Sequence, residues 1–308
     1  MSNEIIKVES LTKKFQNFEA LKDVSFNVFK NDVFGFLGPN GAGKSTTLRC
    51  MLSLIKKDSG EIRLFGKKLE KNRTEILSKI GSIIEKPDFY KYLSAQKNLE
   101  LLARVSGKKV SKSEIEDILD FVGLKDRSKS KFRTFSHGMK QRLGIAQALM
   151  HDPELVILDE PTTGLDPEGI IEIRNLILKL KKEHGKTVIL SSHQLSEIEM
   201  IANRMVIISK GKTVIEGDVN ELLNSDEILV KFEMNDPKLV FDKVNTSFSN
   251  IYESKITSNG IEMITNTENI PEITSFLIKN NSKIYSIEQK RKLEDYFIKT
   301  INSENNVN

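Results

Sequence analysis

Gly38, Pro39, Asn40, Gly41, Ala42, Gly43, Lys44 and Ser45 follow one another directly, and this run carries the clearest chemistry in the chain. Small residues let backbone N–H groups come close to an anion, and a helix opening at Lys44 adds the partial positive charge of its amino end. In such a loop Lys44 pairs with β- and γ-phosphate oxygens, the Ser45 hydroxyl binds Mg²⁺, and Thr46 completes the nucleotide-binding set. A second run, Leu155-Val-Ile-Leu-Asp159-Glu160, has four apolar residues before two acids. A buried strand there delivers the acids at its carboxyl end, where α/β sheets bind ligands. Asp159 is placed to hold Mg²⁺ through water, and Glu160 to polarise an attacking water. Alone, adjacent acids are equally well explained as a solvated strand end; beside a phosphate loop they point to phosphoryl transfer to water.

Three further positions gain meaning only from these two. His193 follows the run Thr187 to Ser192, a neighbouring strand, where a lone histidine is more often structural than catalytic. Ser136-His137-Gly138 opens a helix, and a hydroxyl with free N–H groups makes either an ordinary cap or an anion site. Phe15, at a strand end, is either core or a platform on which adenine stacks.

The elements that must position these residues alternate. Val24, Phe26 and Val28 alternate as in a half-buried strand, and Val33 to Leu37 is a short buried strand entering the glycine loop. Helices are predicted over 44–54, over 94–105 with Leu99, Leu102 and Val105 on one face, and over 111–122 from the capping-box spacing Ser111 to Glu114. Further helices span 138–150, 194–202 and a stretch from Pro167 that Gly185 closes. With strands at 155–158, 187–191 and 205–208, the order implies a parallel sheet covered on both faces. A break near 224–226 precedes a second, α+β pattern. It has strands at 228–232, 251–256, 261–264 and 283–287 and helices at 237–244, 271–278 and 292–301. Asn259-Gly260 supplies a hairpin turn, and the arrangement is ferredoxin-like. Residues 302–308 are expected to be disordered.

The 308 residues suit about two domains of roughly 150 residues each. Net charge is +4, with 47 basic residues interspersed among 43 acidic ones, so no nucleic-acid partner is expected. The single cysteine, Cys50, excludes an intrachain disulfide and suits a reducing compartment. The start, MSNEIIKVES, lacks the apolar region of a signal peptide, and no apolar run approaches the ~20 residues of a membrane helix.

Taken together, residues 4 to 223 resemble the nucleotide-binding domain of ABC (ATP-binding-cassette) transporters. The matching motifs are Gly38 to Ser45 (Walker A), Val156 to Glu160 (Walker B), Ser136 and Gly138 in the signature loop, and Pro161 to Pro167 around Asp166. The resemblance implies a phosphate-loop (RecA-like) α/β core with antiparallel β and helical subdomains. Its domains would be a cassette over 1–223, with the helical subdomain at about 86–150, and a small C-terminal α+β domain over 226–301. It also implies ATP and Mg²⁺ as ligands, Phe15 on adenine, Glu160 as catalytic base, His193 as switch histidine and Asp166 as a dimer contact. In that family the signature loop of one subunit closes on ATP held by another, so a second copy and separate membrane permease subunits become expected partners. The chain would then sit in the cytoplasm, peripheral on the inner face of the membrane.

Two departures stand out. His137 and Met139 replace the usual glycine and glutamine of the signature. Glu85, in Gly81-Ser-Ile-Ile-Glu85-Lys-Pro, replaces a usual glutamine; a carboxylate remains a hard ligand for Mg²⁺ and would alter coupling to the membrane partner. Glu85, the run FSHGMKQRLGIAQAL and the tail SIEQKRKLEDYFIKTI resemble bacitracin-resistance and lantibiotic-immunity ATPases of ABC-2 type exporters. An ABC-2 exporter of lipid, polysaccharide or ions shares the core motifs, as does a soluble non-transport cassette.

Overall fold

A computed structural model describes residues 3–84, 87–105, 110–223 and 227–291. Two compact units divide the chain, Met1–Gly217 and Asp218–Asn308. The division falls a few residues ahead of the break near 224–226 that composition suggested.

The first unit opens with β1 (Glu4–Phe15), β2 (Phe18–Phe29) and β3 (Val33–Leu37). Then come α1 (Lys44–Met51), β4 (Ser59–Leu64), β5 (Lys67–Lys68), α2 (Arg73–Leu77) and β6 (Ile80–Ile83). Three helices follow in the predicted region: α3 (Ala95–Val105), α4 (Lys112–Phe121) and α5 (His137–Leu149). The unit closes with β7 (Leu155–Leu158), α6 (Pro167–Lys182), β8 (Thr187–Ser192), α7 (Leu195–Ile201), β9 (Arg204–Ser209) and β10 (Lys212–Asp218).

These strands form a sheet ordered β2-β1-β4-β5 and a six-stranded sheet ordered β10-β9-β3-β8-β7-β6. In the second, β9, β3, β8, β7 and β6 pair in parallel. Their sequences are apolar nearly throughout because both faces are covered. Phe26 of β2 meets Phe34 at 5.8 Å and Phe36 edge-on at 4.7 Å, so the antiparallel sheet packs over the centre of the parallel one. Leu48, Cys50 and Met51 of α1 join that core. Burial pushes the Cys50 thiol up to about 11, so it is an inert core residue.

On the opposite face, helices approach the strands at glycines. A β-carbon on Gly35 would stand 2.4 Å from Ile198 of α7, and one on Gly81 would stand 2.1 Å from the Ala148 carbonyl of α5. The predicted capping box at Ser111 and Glu114 is present and starts α4. Two expectations need correction. α1 stops at Met51, not near Leu54, because Ser53 turns into the left-handed region (φ 55°) and leaves Leu54 exposed. On α3 the buried face is Ala95, Asn98, Leu99 and Ala103, while Val105 is exposed.

The second unit contains α8 (Val219–Leu223), β11 (Glu227–Met234), α9 (Phe241–Ser247), β12 (Glu253–Thr257), β13 (Gly260–Asn266), α10 (Ile270–Lys279) and β14 (Ile284–Arg291). Its antiparallel sheet has the order β12-β13-β11-β14, the ferredoxin-like arrangement. Val230, Phe232, Ile261 and Met263 face Ile273 and Leu277 in its own core. The hairpin turn uses Ser258-Asn259, and Gly260 already belongs to β13. The helix expected over 292–301 and the tail 302–308 lie outside the described residues.

Gly81 faces a backbone carbonyl, which cannot swing aside as a side chain can. Gly81→Ala should therefore destabilise the fold by about 1–3 kcal/mol, measured by urea unfolding.

Candidate functional site

β3 is central in its sheet, and the loop 38–43 leaves its carboxyl end. Gly41 and Gly43 have φ of 82° and 109°, so the loop bends back before α1 starts. A β-carbon on Gly43 would lie 2.7 Å from Leu21 of β2, and one on Gly38 would lie 2.3 Å from the Ile208 carbonyl. Glycine is thus required by space as well as by φ. No side chain caps the amino end of α1, which leaves its first N–H groups to serve an anion. Inside the loop the Lys44 ammonium, on a side chain 4% exposed, donates to the carbonyls of Gly38 (2.7 Å) and Pro39 (3.1 Å). It also stands 3.5 Å from Glu160 Oε1.

Parallel register brings the other residues to the same sheet end. Leu37 pairs with Ser192, Leu158 with Leu190 and Ile83 with Leu158, so residues following β6, β7 and β8 emerge beside the loop. Glu160 has a left-handed backbone (φ 47°), disfavoured for a side-chain-bearing residue by roughly 1–2 kcal/mol. That bend turns its carboxylate toward Lys44. Thr163 Oγ1 donates to Glu160 Oε2 at 3.0 Å, and His193 Nδ1 lies 3.7 Å from the same oxygen. Nδ1 is buried and, among the described residues, makes no hydrogen bond, so His193 is held close to the acid without being tied to it. Ser191 donates its hydroxyl proton to Asp159 Oδ1 and accepts the Glu160 N–H at 2.8 Å. Ser191 and Thr163 were not singled out in the sequence. For Ser191 the one sign is a serine directly after the apolar run Val188-Ile-Leu190; Thr163 lies in the turn after Glu160 and carries none.

The structure therefore gathers Lys44, Asp159, Glu160 and His193 at one place. Ser45 follows on the first turn of α1, half-buried. The Ser45 hydroxyl and the Asp159 carboxylate are hard oxygen donors, the kind that suit Mg²⁺ held jointly with phosphates. Phe15 ends β1 and is about half exposed, with Lys13 Nζ 5.2 Å from its ring centre. Lys13 pairs with Leu21, the neighbour of Gly43, so Phe15 stands two residues, about 7 Å, further along the strand.

Ser136, Gly138 and Asp166 assemble elsewhere. Ser136 caps α5 by accepting from the Met139 N–H (3.2 Å), and Asp166 caps α6 by accepting from the Gly169 N–H (3.1 Å). A β-carbon on Gly138 would lie 4.0 Å from both Gly169 and Leu165, so the two helix starts are neighbours. α5 rides on β6, three strand spacings from β3, or about 14 Å. Glu85 lies outside the described residues. A cavity of about 270 Å³, lined by Phe121, Leu149, Leu180 and His184, lies near the amino ends of β7 and β8 and is no part of this site.

A phosphate-binding glycine loop at a sheet centre, with an acid pair on a nearby parallel strand, defines a nucleotide-hydrolysing α/β protein. The comparisons specify which kind. The ABC transporter family model matches residues 21–163. The bacitracin transport ATP-binding protein BcrA of Bacillus licheniformis is 41% identical over 96% of this chain and 97% of its own. The lantibiotic transport ATP-binding protein SrtF of Streptococcus pyogenes is 43% identical over 73% of this chain and 95% of its own. Among solved structures, the cassette MJ0796, in a dimeric post-hydrolysis state with ADP and Pi, is 28% identical. It superimposes with a TM-score of 0.62 over 70% of this chain and 99% of its own. The chain belongs to the family of ABC transporter ATP-binding proteins, and it binds and hydrolyses ATP.

The two loop glycines separate strain from space. Gly41→Ala meets nothing within 4 Å and adds only φ strain, whereas Gly43→Ala also meets Leu21 and the Ala20 carbonyl. Gly41→Ala should weaken ATP binding about tenfold or less, and Gly43→Ala by clearly more, in titrations with a fluorescent ATP analogue.

Proposed function

We propose that this chain is the motor of a bacterial exporter that clears bacitracin-type or lantibiotic peptide antibiotics, and that two copies close on ATP to drive separate membrane subunits. The observation that carries the cargo assignment is the extent of the BcrA similarity, 96% of this chain, which takes in the appended second unit as well as the cassette. SrtF matches 73%, a length close to that of the first unit alone. This difference favours bacitracin-like cargo over lantibiotics.

In the proposed mechanism the loop N–H groups and the amino end of α1 bind the phosphates. Lys44 transfers its ammonium from the Gly38 and Pro39 carbonyls to the β- and γ-oxygens. Ser45 and Asp159, with Glu85 as a third candidate, would hold Mg²⁺, which when bound would supply positive charge against the transferred phosphoryl group. Glu160 orients water in line with the γ-phosphorus and takes its proton as the bond to the β-phosphate oxygen breaks. His193, already near Glu160, contacts the γ-phosphate. Phe15 stacks on adenine. Ser136 and Gly138 of a second copy supply the remaining N–H donors, and Asp166 lies at the contact between copies. The MJ0796 dimer supports that pairing.

The membrane subunits dock on the helical region. Tyr90 and Tyr92 are 60% and 78% exposed there, beside Lys91, Lys131 and Arg133. The turn that presents them is rigid: the buried Asn98 amide accepts from the Tyr90 N–H (2.9 Å) and donates to the carbonyls of Tyr90 (3.2 Å) and Ser94 (3.0 Å). Exposed tyrosine with arginine suits an interface anchor for an acidic partner segment. Among the described residues no helix is long and apolar enough to cross a membrane, so peripheral attachment to the inner face rests on this docking.

Glu160→Gln should lower ATP turnover a hundredfold or more while ATP now yields a stable dimer by light scattering. Rapid hydrolysis by that variant would sink the assignment of the base. Deleting the gene should sensitise the bacterium to bacitracin or a lantibiotic in a susceptibility panel; unchanged susceptibility throughout would remove the cargo assignment and leave the motor. Tyr92→Ala combined with Arg133→Glu should reduce retention on membranes carrying the partner subunits, with turnover of the isolated protein within about twofold of the parent, as expected of surface residues.

A further inference from the structure

We propose that Ser191 is a positioning residue for hydrolysis, whose one hydroxyl aligns both acids; the inference rests on the assignment of ATP hydrolysis to Asp159 and Glu160. Ser191 lies in β8 and is 0% exposed. Its Oγ donates to Asp159 Oδ1 and accepts the Glu160 N–H at 2.8 Å. The directions are fixed by chemistry, since an ionised carboxylate only accepts and an amide N–H only donates. A hydroxyl satisfies both at once; a methyl group or a thioether satisfies neither.

The two bonds act on different parts of the site. The first orients the carboxylate offered to Mg²⁺. The second holds the peptide at Glu160, where the chain turns left-handed (φ 47°) and so aims the Glu160 carboxylate at Lys44 and His193. His193 stands two residues beyond Ser191, just after β8, so one strand and the residue following it supply both the hydroxyl that sets Glu160 in place and the histidine near Glu160. The adjacent serine provides an internal contrast. Ser192 is also buried, but its hydroxyl accepts from the Gln194 N–H (2.9 Å) and donates to Glu197 Oε2 (2.6 Å) at the start of α7. Ser192 serves the fold, and Ser191 serves the acids.

The test compares Ser191→Ala, Ser191→Thr and Ser192→Ala in the full-length protein. Turnover is measured, together with the gain in ATP affinity that Mg²⁺ confers over EDTA, by calorimetry in the Glu160→Gln background. Ser191→Ala should lower kcat about tenfold and shrink the Mg²⁺-conferred gain severalfold, the scale of one hydrogen bond to a charged group, while leaving ATP affinity in EDTA within about twofold. Ser191→Thr keeps the hydroxyl and should restore both quantities toward the parent values. If its extra methyl prevents folding, Ser191→Cys, of nearly the same size but a weak donor, should fall between parent and Ala. Ser192→Ala should lower the melting temperature and leave the Mg²⁺-conferred gain unchanged. The proposal is overturned if Ser191→Ala keeps parental kcat and gain, or if Ser192→Ala changes the gain as much as Ser191→Ala does. In either case an active parent with an inactive Glu160→Gln leaves the ATPase assignment standing, whereas a parent without turnover removes that assignment itself.

Discussion

A buried ammonium is the constraint on which the rest of the first unit depends. Lys44 carries its charge on a side chain 4% exposed, and an unpaired charge there would be prohibitively costly. The protein compensates it with the carbonyls of Gly38 and Pro39 and the nearby carboxylate of Glu160. These partners are weaker than the phosphate oxygens that ATP offers, so the ammonium is held ready to be exchanged. The loop must therefore curl tightly enough to put two of its own carbonyls on Nζ. That requirement explains the positive φ at Gly41 and Gly43 and the close fit of Gly43 against Leu21. The acid pair directly follows β7, with only β8 between that strand and β3, which brings Glu160 within reach of Lys44.

The layers exist to keep that geometry stiff. Phe26, Phe34 and Phe36 weld the antiparallel sheet to the strand that feeds the loop, and α1 is packed between them. On the other face, Gly35 and Gly81 let α7 and α5 lie directly on the strands. Side chains in between would lift those helices and shift the strand ends on which Glu160 and His193 ride. In a packed interior such shifts are not absorbed locally.

How much of this was legible in the sequence follows from how local each feature is. β3 and β7 are short apolar runs bounded by a glycine and an acid pair, and both were readable with their ends. So were the capping box at Ser111 and the start of α6 behind Asp166. Local patterning misjudged α3, because Ala103 is small enough to be counted as neutral and Val105 apolar enough to be counted as core, whereas packing buries the first and exposes the second. β10, Lys212-Thr-Val-Ile-Glu-Gly-Asp218, has too few apolar residues to announce a strand and exists because β9 turns back through Lys210 and Gly211. Within the site, the motif residues were visible and their connections were not. The bridging hydroxyl of Ser191 depends on the register between β7 and β8, which no local pattern encodes.

The positions of Ser136 and Asp166 bear on why the proposed mechanism calls for a second copy. Each caps a helix, and the two helix starts lie side by side, with α5 resting on β6, three strands away from the one that feeds the phosphate loop. A single copy thus holds two separate helix-start regions: an uncapped one beside Lys44 and one where α5 and α6 begin, capped by Ser136 and Asp166. No bend of a stiff α/β core brings the second onto the first, because α5 is seated directly on β6 at Gly81. In the proposed pairing a two-fold axis would carry the helix starts of each copy toward the loop of the other without deforming either, and a self-complementary contact closes after two members. The link from Glu160 through Thr163 to Asp166 then acquires a purpose within the proposed pairing. Only five residues separate the acid near Lys44 from the helix start that would meet the second copy.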